Sequence, residues 1–140
     1  MTRQRNHNAR NRKGAAMVEF AIVAPILFLF FFAAFEFCRA SMIRHTADNA
    51  VYEGARAAII PGATAGEAQA EASLILNSLG LTNTTITVSP AALDADTEEV
   101  TVRVRVPLDD NSFLPNLFVG GVEIDRELTM VREGVRRTAP

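Results

Sequence analysis

The sequence predicts an α+β protein. A long N-terminal helix, its first half spanning a membrane, continues into a small exported domain with a second short helix and a roughly three-stranded antiparallel sheet. Three observations point there. Charge and apolar residues are segregated along the 140 residues. The apolar spacing is helical up to about residue 80 and then changes to a period of two. Pro and Gly stand at the joins between these stretches.

The length allows one domain, with little room for a second. With 49% apolar and 21% charged residues, the chain is unlike a disordered tail, a collagen-like repeat or a polytopic membrane protein. A net charge of −2 argues against nucleic-acid binding. The single Cys excludes an internal disulfide framework and a multi-Cys zinc site.

The averages conceal three unlike stretches. Arg3, Arg5, Arg10, Arg12 and Lys13 make the first thirteen residues +5, and the rest of the chain sums to −7. Seven of the nine Phe lie between Phe20 and Phe37, and the sixteen residues Phe20 to Phe35 carry no charge. Sixteen helical residues span roughly 24 Å, short of a hydrocarbon core of about 30 Å, whereas Ala15 to Cys38 spans roughly 36 Å. That longer span includes Glu19 and Glu36. Glu36 is expected at the interface, where a carboxylate reaches water. Glu19 lies about one turn inside the other end. An unpaired carboxylate deep in lipid costs on the order of 2.5–3.5 kcal/mol, so Glu19 must stay near the headgroups or meet a cation.

A cleaved secretory signal fits poorly, because Glu19 interrupts the basic-to-apolar join and no convincing small-x-small site follows Phe35. A retained helix is favoured, with the basic tail cytoplasmic and the acidic remainder exported. Pro25 removes one backbone donor and frees the Ala21 carbonyl, which predicts a mild kink.

Past the membrane the helix keeps one apolar seam: Phe37, Ala40, Ile43, Ala47, Val51, Gly54 and Ala58. Its small residues suit close packing of a sheet or a second helix. Glu36–Arg39, Arg44–Asp48 and Glu53–Arg56 have ion-pair spacing along it. Pro61-Gly62 ends it. Thr64 and Glu67 fit a capping box for a second helix with Ala68, Ala72, Ile75 and Leu79 inward and Gly80 as its stop. Three strands follow, with inward faces Ile86 and Val88, then Val100, Val102, Val104 and Val106, then Val122, Ile124, Leu128 and Met130, the last interrupted by Arg126. If the last two pair antiparallel, Arg103 and Arg105 can face Glu123, Asp125 or Glu127. The apolar connection Phe113, Leu114, Leu117, Phe118 and Val119, around Pro115, is expected to fold back over the core, with an exposed contact as the alternative.

Little in the chain suggests catalysis. His7 and His45 lack metal-ligand spacing to other residues, and Asp94 to Glu99 lacks the Gly and distal Glu of an EF-hand loop. Cys38 is expected to pack against apolar surface, with an intermolecular disulfide as the alternative. No phosphate loop, nucleophile elbow or paired catalytic carboxylates occur, so no enzymatic activity, metal or cofactor is expected.

The run Lys13-Gly14-Ala15-Ala16-Met17-Val18-Glu19-Phe20 resembles the processing and assembly motif of type IV pilin-like proteins. More narrowly, with the apolar run containing Pro25, Glu36-Phe37-Cys38-Arg39, the stretch Thr46 to Arg56 and Leu128 to Glu133, the chain resembles the TadE-like family of the tight-adherence, or Flp pilus, machinery. The resemblance implies a pilin-like fold and cleavage after Gly14 by a prepilin peptidase, with Gly14, Ala15, Glu19 and Phe20 as the motif. Phe20 stands where Flp-type pilins commonly have Tyr. It implies that Glu19 pairs with the new Ala15 ammonium of a neighbouring subunit, and that Glu19 and Pro25 serve assembly. The implied divisions are a basic leader, 1–14, a transmembrane helix, 15–38, and an extracytoplasmic domain, 39–140. The implied role is a minor pilin or pseudopilin in the bacterial inner membrane. Its partners would be the peptidase, other pilins and pilus or secretion proteins, with self-association through the N-terminal helix. An uncleaved single-pass scaffold and an envelope ligand-binding module are the alternatives.

Overall fold

The computed structural model describes residues 7–94, 96–114 and 120–132, with side chains from residue 14. The order is α1 (His7–Ala58), α2 (Ala65–Ser78), β1 (Thr85–Ser89), β2 (Glu99–Pro107) and β3 (Glu123–Val131). The chain divides into two compact units, Met1–Phe37 and Cys38–Pro140.

The first unit is helical and holds Pro25 inside α1. Its large apolar side chains from Met17 to Phe37 are exposed rather than packed into a core. The stretch Gly14–Ala58 includes a run long and apolar enough to cross a membrane. Aromatic pairs line this run: Phe28–Phe32 and Phe31–Phe35 stack at 6.4 and 6.5 Å between centroids, and Phe31 meets Phe32 edge-on at 5.8 Å.

The second unit is an α+β layer structure. Its sheet is antiparallel in the order β1-β2-β3. Val100, Val102, Val104 and Val106 of the central strand are fully buried, as the period of two requires. They pack with Ile43, Ala47, Ala50, Val51, Ala55 and Ala58 of α1 and with Ala68, Ala72 and Leu76 of α2. Small residues let the layers approach closely. A Cβ built on Gly54 would lie 3.1 Å from the Ala68 carbonyl oxygen, 3.2 Å from Ala72 Cβ and 3.3 Å from Val102 Cγ1.

The ends of α2 follow from local chemistry. Thr64 Oγ1 accepts from the Glu67 amide and the Thr64 amide donates to the Glu67 carboxylate, a complete capping box. At the other end the Gly80 amide donates to the Asn77 carbonyl and the Leu81 amide to the Leu76 carbonyl, with Gly80 at φ +67°. This is a Schellman motif, and buried Leu76 and Leu81 form its apolar closure.

Several expectations need correction. Phe37 is 76% exposed and leaves the seam at its N-terminal end, while Ala50 and Ala55 join the buried face. The centre of the α2 stripe is Leu76, at strict i+4 spacing from Ala68 and Ala72, with Ile75 and Leu79 at its margins. Glu36, expected to reach water, is 1% exposed. Val122 is exposed and precedes β3. Phe113 does not cover the core: its ring is 57% exposed. The rest of that apolar connection, Pro115, Leu117, Phe118 and Val119, lies outside the described residues, as do the tail from Met1 to Asn6 and Glu133.

Candidate functional site

The residues of the N-terminal motif lie together on the first turns of α1. Gly14, Ala15, Glu19 and Phe20 are all helical and exposed. Ala15 and Glu19 stand four residues apart, so they share one face one turn apart. Nothing lies within 4 Å of a Cβ built on Gly14, so a protein surface can approach this point of the backbone. The Gly14–Ala15 bond is inside α1, not in an extended segment. A peptidase that needs an extended backbone would have to unwind this turn, and Gly14 makes that easier by about 1 kcal/mol relative to Ala. Pro25 lies about 1.7 turns beyond Glu19 on the same helix.

The second unit is organised by polar contacts that the sequence only partly signals. Register brings Arg103 opposite Glu127 and Arg105 opposite Asp125. Arg103 makes two hydrogen bonds to the Asp125 carboxylate, and Arg105 Nε donates to it at 3.3 Å. The Arg103 hydrogen bond holds the Asp125 carboxyl below its ordinary range, with both arginine charges adding to the effect, and the same bond raises Arg103. Arg126, which interrupts the inward face of β3, reaches Asp48 of α1 at 2.8 Å. Asp48 is thus met by Arg126 rather than by Arg44, because the sheet edge brings a cation across the helix. Glu53–Arg56 forms as spaced, at 3.5 Å.

Asn111 was not signalled at all. It is buried, and its amide donates to the Thr82 carbonyl at 2.9 Å and the Pro107 carbonyl at 2.8 Å. Its Oδ1 accepts from the Thr82 amide at 2.8 Å, and its own carbonyl accepts from Arg39 Nε at 3.1 Å. One side chain thereby ties the α2–β1 connection to the end of β2. The Asn-Ser pair after Asp109-Asp110 marks a turn in the sequence, but its long-range partners do not show there.

Other candidates from the sequence are plain surface features. Among the described residues no three of His, Cys, Asp and Glu come together as a metal site. Asp94 and Thr97 close a turn on each other, and Arg132 donates to the Asp94 and Glu98 carbonyls. Cys38 is exposed within the chain rather than packed, contrary to expectation, and His45 is exposed. A shallow open cleft of about 400 Å³ lies where α1 ends, between Ala57, Ile60 and Pro61 on one side and Glu67 and Glu71 on the other.

No curated protein and no solved structure matches the chain. A family model does, and it covers the N-terminal motif, the apolar run and most of the rest of α1. Residues 14–56 match the family described as TadE-like protein, the family whose N-terminal pattern this sequence resembles.

Proposed function

We propose that this chain is a structural and assembly protein of a Tad-type pilus. It acts as a TadE-like minor pilin or pseudopilin of a Flp-type pilus or a related secretion machine. The single observation that carries this reading is the family match over residues 14–56, beginning at Gly14 itself. The exposed apolar face of α1 and the small α+β unit beyond it support the same reading. In this proposal the basic leader stays cytoplasmic, α1 anchors the chain in the inner membrane and the acidic domain is exported. A prepilin peptidase cuts after Gly14 and leaves an ammonium at Ala15. Glu19 then offsets that charge on a neighbouring subunit, which removes the penalty of an isolated carboxylate in lipid. No catalytic role is proposed for any residue.

The helical setting of the Gly14–Ala15 bond favours one rival, a permanent uncleaved scaffold that binds pilus components. Glu19→Ala separates the two. A pilin role predicts continued processing with failed incorporation into the pilus fraction, and a scaffold role predicts no change in either.

A further inference from the structure

β1 stands at one edge of the sheet, beside β2. One row of its backbone N–H and C=O groups pairs with β2, and the other row points away from the sheet. Among the described residues no backbone hydrogen bond outside the ladder reaches that outer row. Such an edge is a template for another strand, and proteins commonly guard it with charge, a bulge or Pro. β3, at the opposite edge, is guarded by charge: Glu123, Asp125, Arg126 and Glu127 fall within it. β1 reads Thr-Ile-Thr-Val-Ser and has no charge, Pro or Gly.

The surroundings of this edge are uncharged too. On the outer face of the sheet Thr85 and Thr87 neighbour Arg105 and Arg103, but both guanidiniums turn to Asp125 of β3. On the inner face α2 lies over β1, and α1 reaches β3 through Asp48 and Arg126. Glu67 and Glu71 of α2 line the cleft shared with Ala57 and Ile60 of α1. The opposite flank of α2 is Gln69, Ser73 and Asn77, spaced four residues apart on one stripe, and the Asn77 amide donates to Ser73 Oγ at 3.2 Å. That flank turns away from α1, on the side where β1 is the last strand.

The strand is also self-complementary. Pairing two copies antiparallel about Thr87 sets Thr87 opposite Thr87, Ile86 opposite Val88 and Thr85 opposite Ser89. Apolar side chains then meet on the inner face and hydroxyls on the outer one. The sheet already holds one hydroxyl pair of this kind, Thr101 and Thr129, 2.7 Å apart across β2 and β3. The same operation on β3, about its middle residue Glu127, sets two carboxylates opposite each other.

We propose that β1 is a homotypic edge. Two copies of this chain join antiparallel through Thr85–Ser89, on a two-fold axis at Thr87, and merge their three-stranded sheets into one. The occupant of the edge is a second copy. Five residues make a small contact, so the pairing is weak by itself and suits copies held at high local concentration. The inference goes beyond the proposed function and does not rest on cleavage at Gly14.

Cys38 is the one cysteine, so a Cys38→Ser background leaves introduced thiols as the only ones. Thr87→Cys, Thr85→Cys, Ser89→Cys and Thr129→Cys are made in that background, as full chains in mild detergent, and oxidised with copper phenanthroline. Residues directly opposite in an antiparallel pair stand about 4.5–5.5 Å apart at Cα, within disulfide range. Four residues of offset add about 13 Å, well outside it. The expected result is that Thr87→Cys forms a covalent dimer at least about tenfold faster than Thr129→Cys, which is exposed on the same face but sits in β3. Thr85→Cys and Ser89→Cys should link poorly alone and readily when mixed. Adding Thr87→Glu to the mixed pair should cut linking about tenfold, because it sets two carboxylates on the axis. An unchanged urea midpoint for Thr87→Glu keeps that loss from being a folding defect. Equal rates for Thr87→Cys and Thr129→Cys mean collision only and overturn the proposal. Linking of Thr85→Cys alone as fast as in the mixture denies the register and equally overturns it. In intact cells, a product of Thr87→Cys whose mass is not twice that of the chain puts a different protein on this edge and also overturns it.

Discussion

Replacing Gly54 with Ala tests how closely the helices and sheet pack. In an exposed helix interior Gly→Ala stabilises by about 1 kcal/mol. Gly54 is not exposed: its new methyl would meet the Ala68 carbonyl oxygen at 3.1 Å, Ala72 Cβ at 3.2 Å and Val102 Cγ1 at 3.3 Å. None of the three gives way easily. The carbonyl belongs to the α2 backbone, the Ala Cβ has no rotamer, and Val102 lies mid-strand with a restricted χ1. Overpacking of this kind costs about 1–3 kcal/mol, so the net change is a loss of up to about 2 kcal/mol. Gly66→Ala is the control, because its Cβ would meet only Thr64 Oγ1, at 3.9 Å. The assay is urea unfolding of the full chain in mild detergent, followed by pulse proteolysis of the second unit. Gly54→Ala should lower the midpoint and Gly66→Ala should hold or raise it. Pairing Gly54→Ala with Ala72→Gly should recover part of the loss, since the two sites share one contact. Gly54→Ala stabilising as much as Gly66→Ala would refute the close approach.

Asn111→Ala removes the partners of one part-buried amide and two part-buried carbonyls, and since a fully desolvated orphan costs about 1–3 kcal/mol and water can reach part of this site, the same unfolding assay should show a total loss of about 1–3 kcal/mol. Asp125→Asn should destabilise modestly at neutral pH. The Asp125 carboxyl is held low in the folded chain, so its contribution is full above the ordinary carboxylate range and is lost as pH falls through the lowered value. Stability against pH for wild type and Asp125→Asn should therefore converge in strong acid, and a constant gap down to that range would contradict the assigned cause.

Much of the fold of the second unit is legible because it is built from local signals. The capping box at Thr64, the stop at Gly80 and the four alternating valines of β2 each need only a few neighbouring residues to be read. The Arg103–Asp125 contact was within reach too, since antiparallel pairing of the last two strands leaves few registers that bury their apolar faces. What could not be read depends on tertiary proximity. Nothing local tells Asp48 to choose Arg126 over Arg44, because the deciding distance is between a helix and a sheet edge 78 positions away in the chain. Asn111 reads as an ordinary turn residue until Thr82 and Pro107 are placed around it. Periodicity puts Phe37 on the inward seam, yet Glu36 is buried and Phe37 is exposed. At the N-terminal motif the reverse holds. Order and residue type carry the reading, and the structure adds that Gly14 and Glu19 are exposed on one continuous helix.

The most direct test of the central claim is the intact mass and N-terminal sequence of the chain isolated from cells with an active prepilin peptidase. Processing after Gly14 gives a mature protein beginning at Ala15, lacking the five basic residues of the leader. A chain that still begins at Met1 or Thr2 would contradict it.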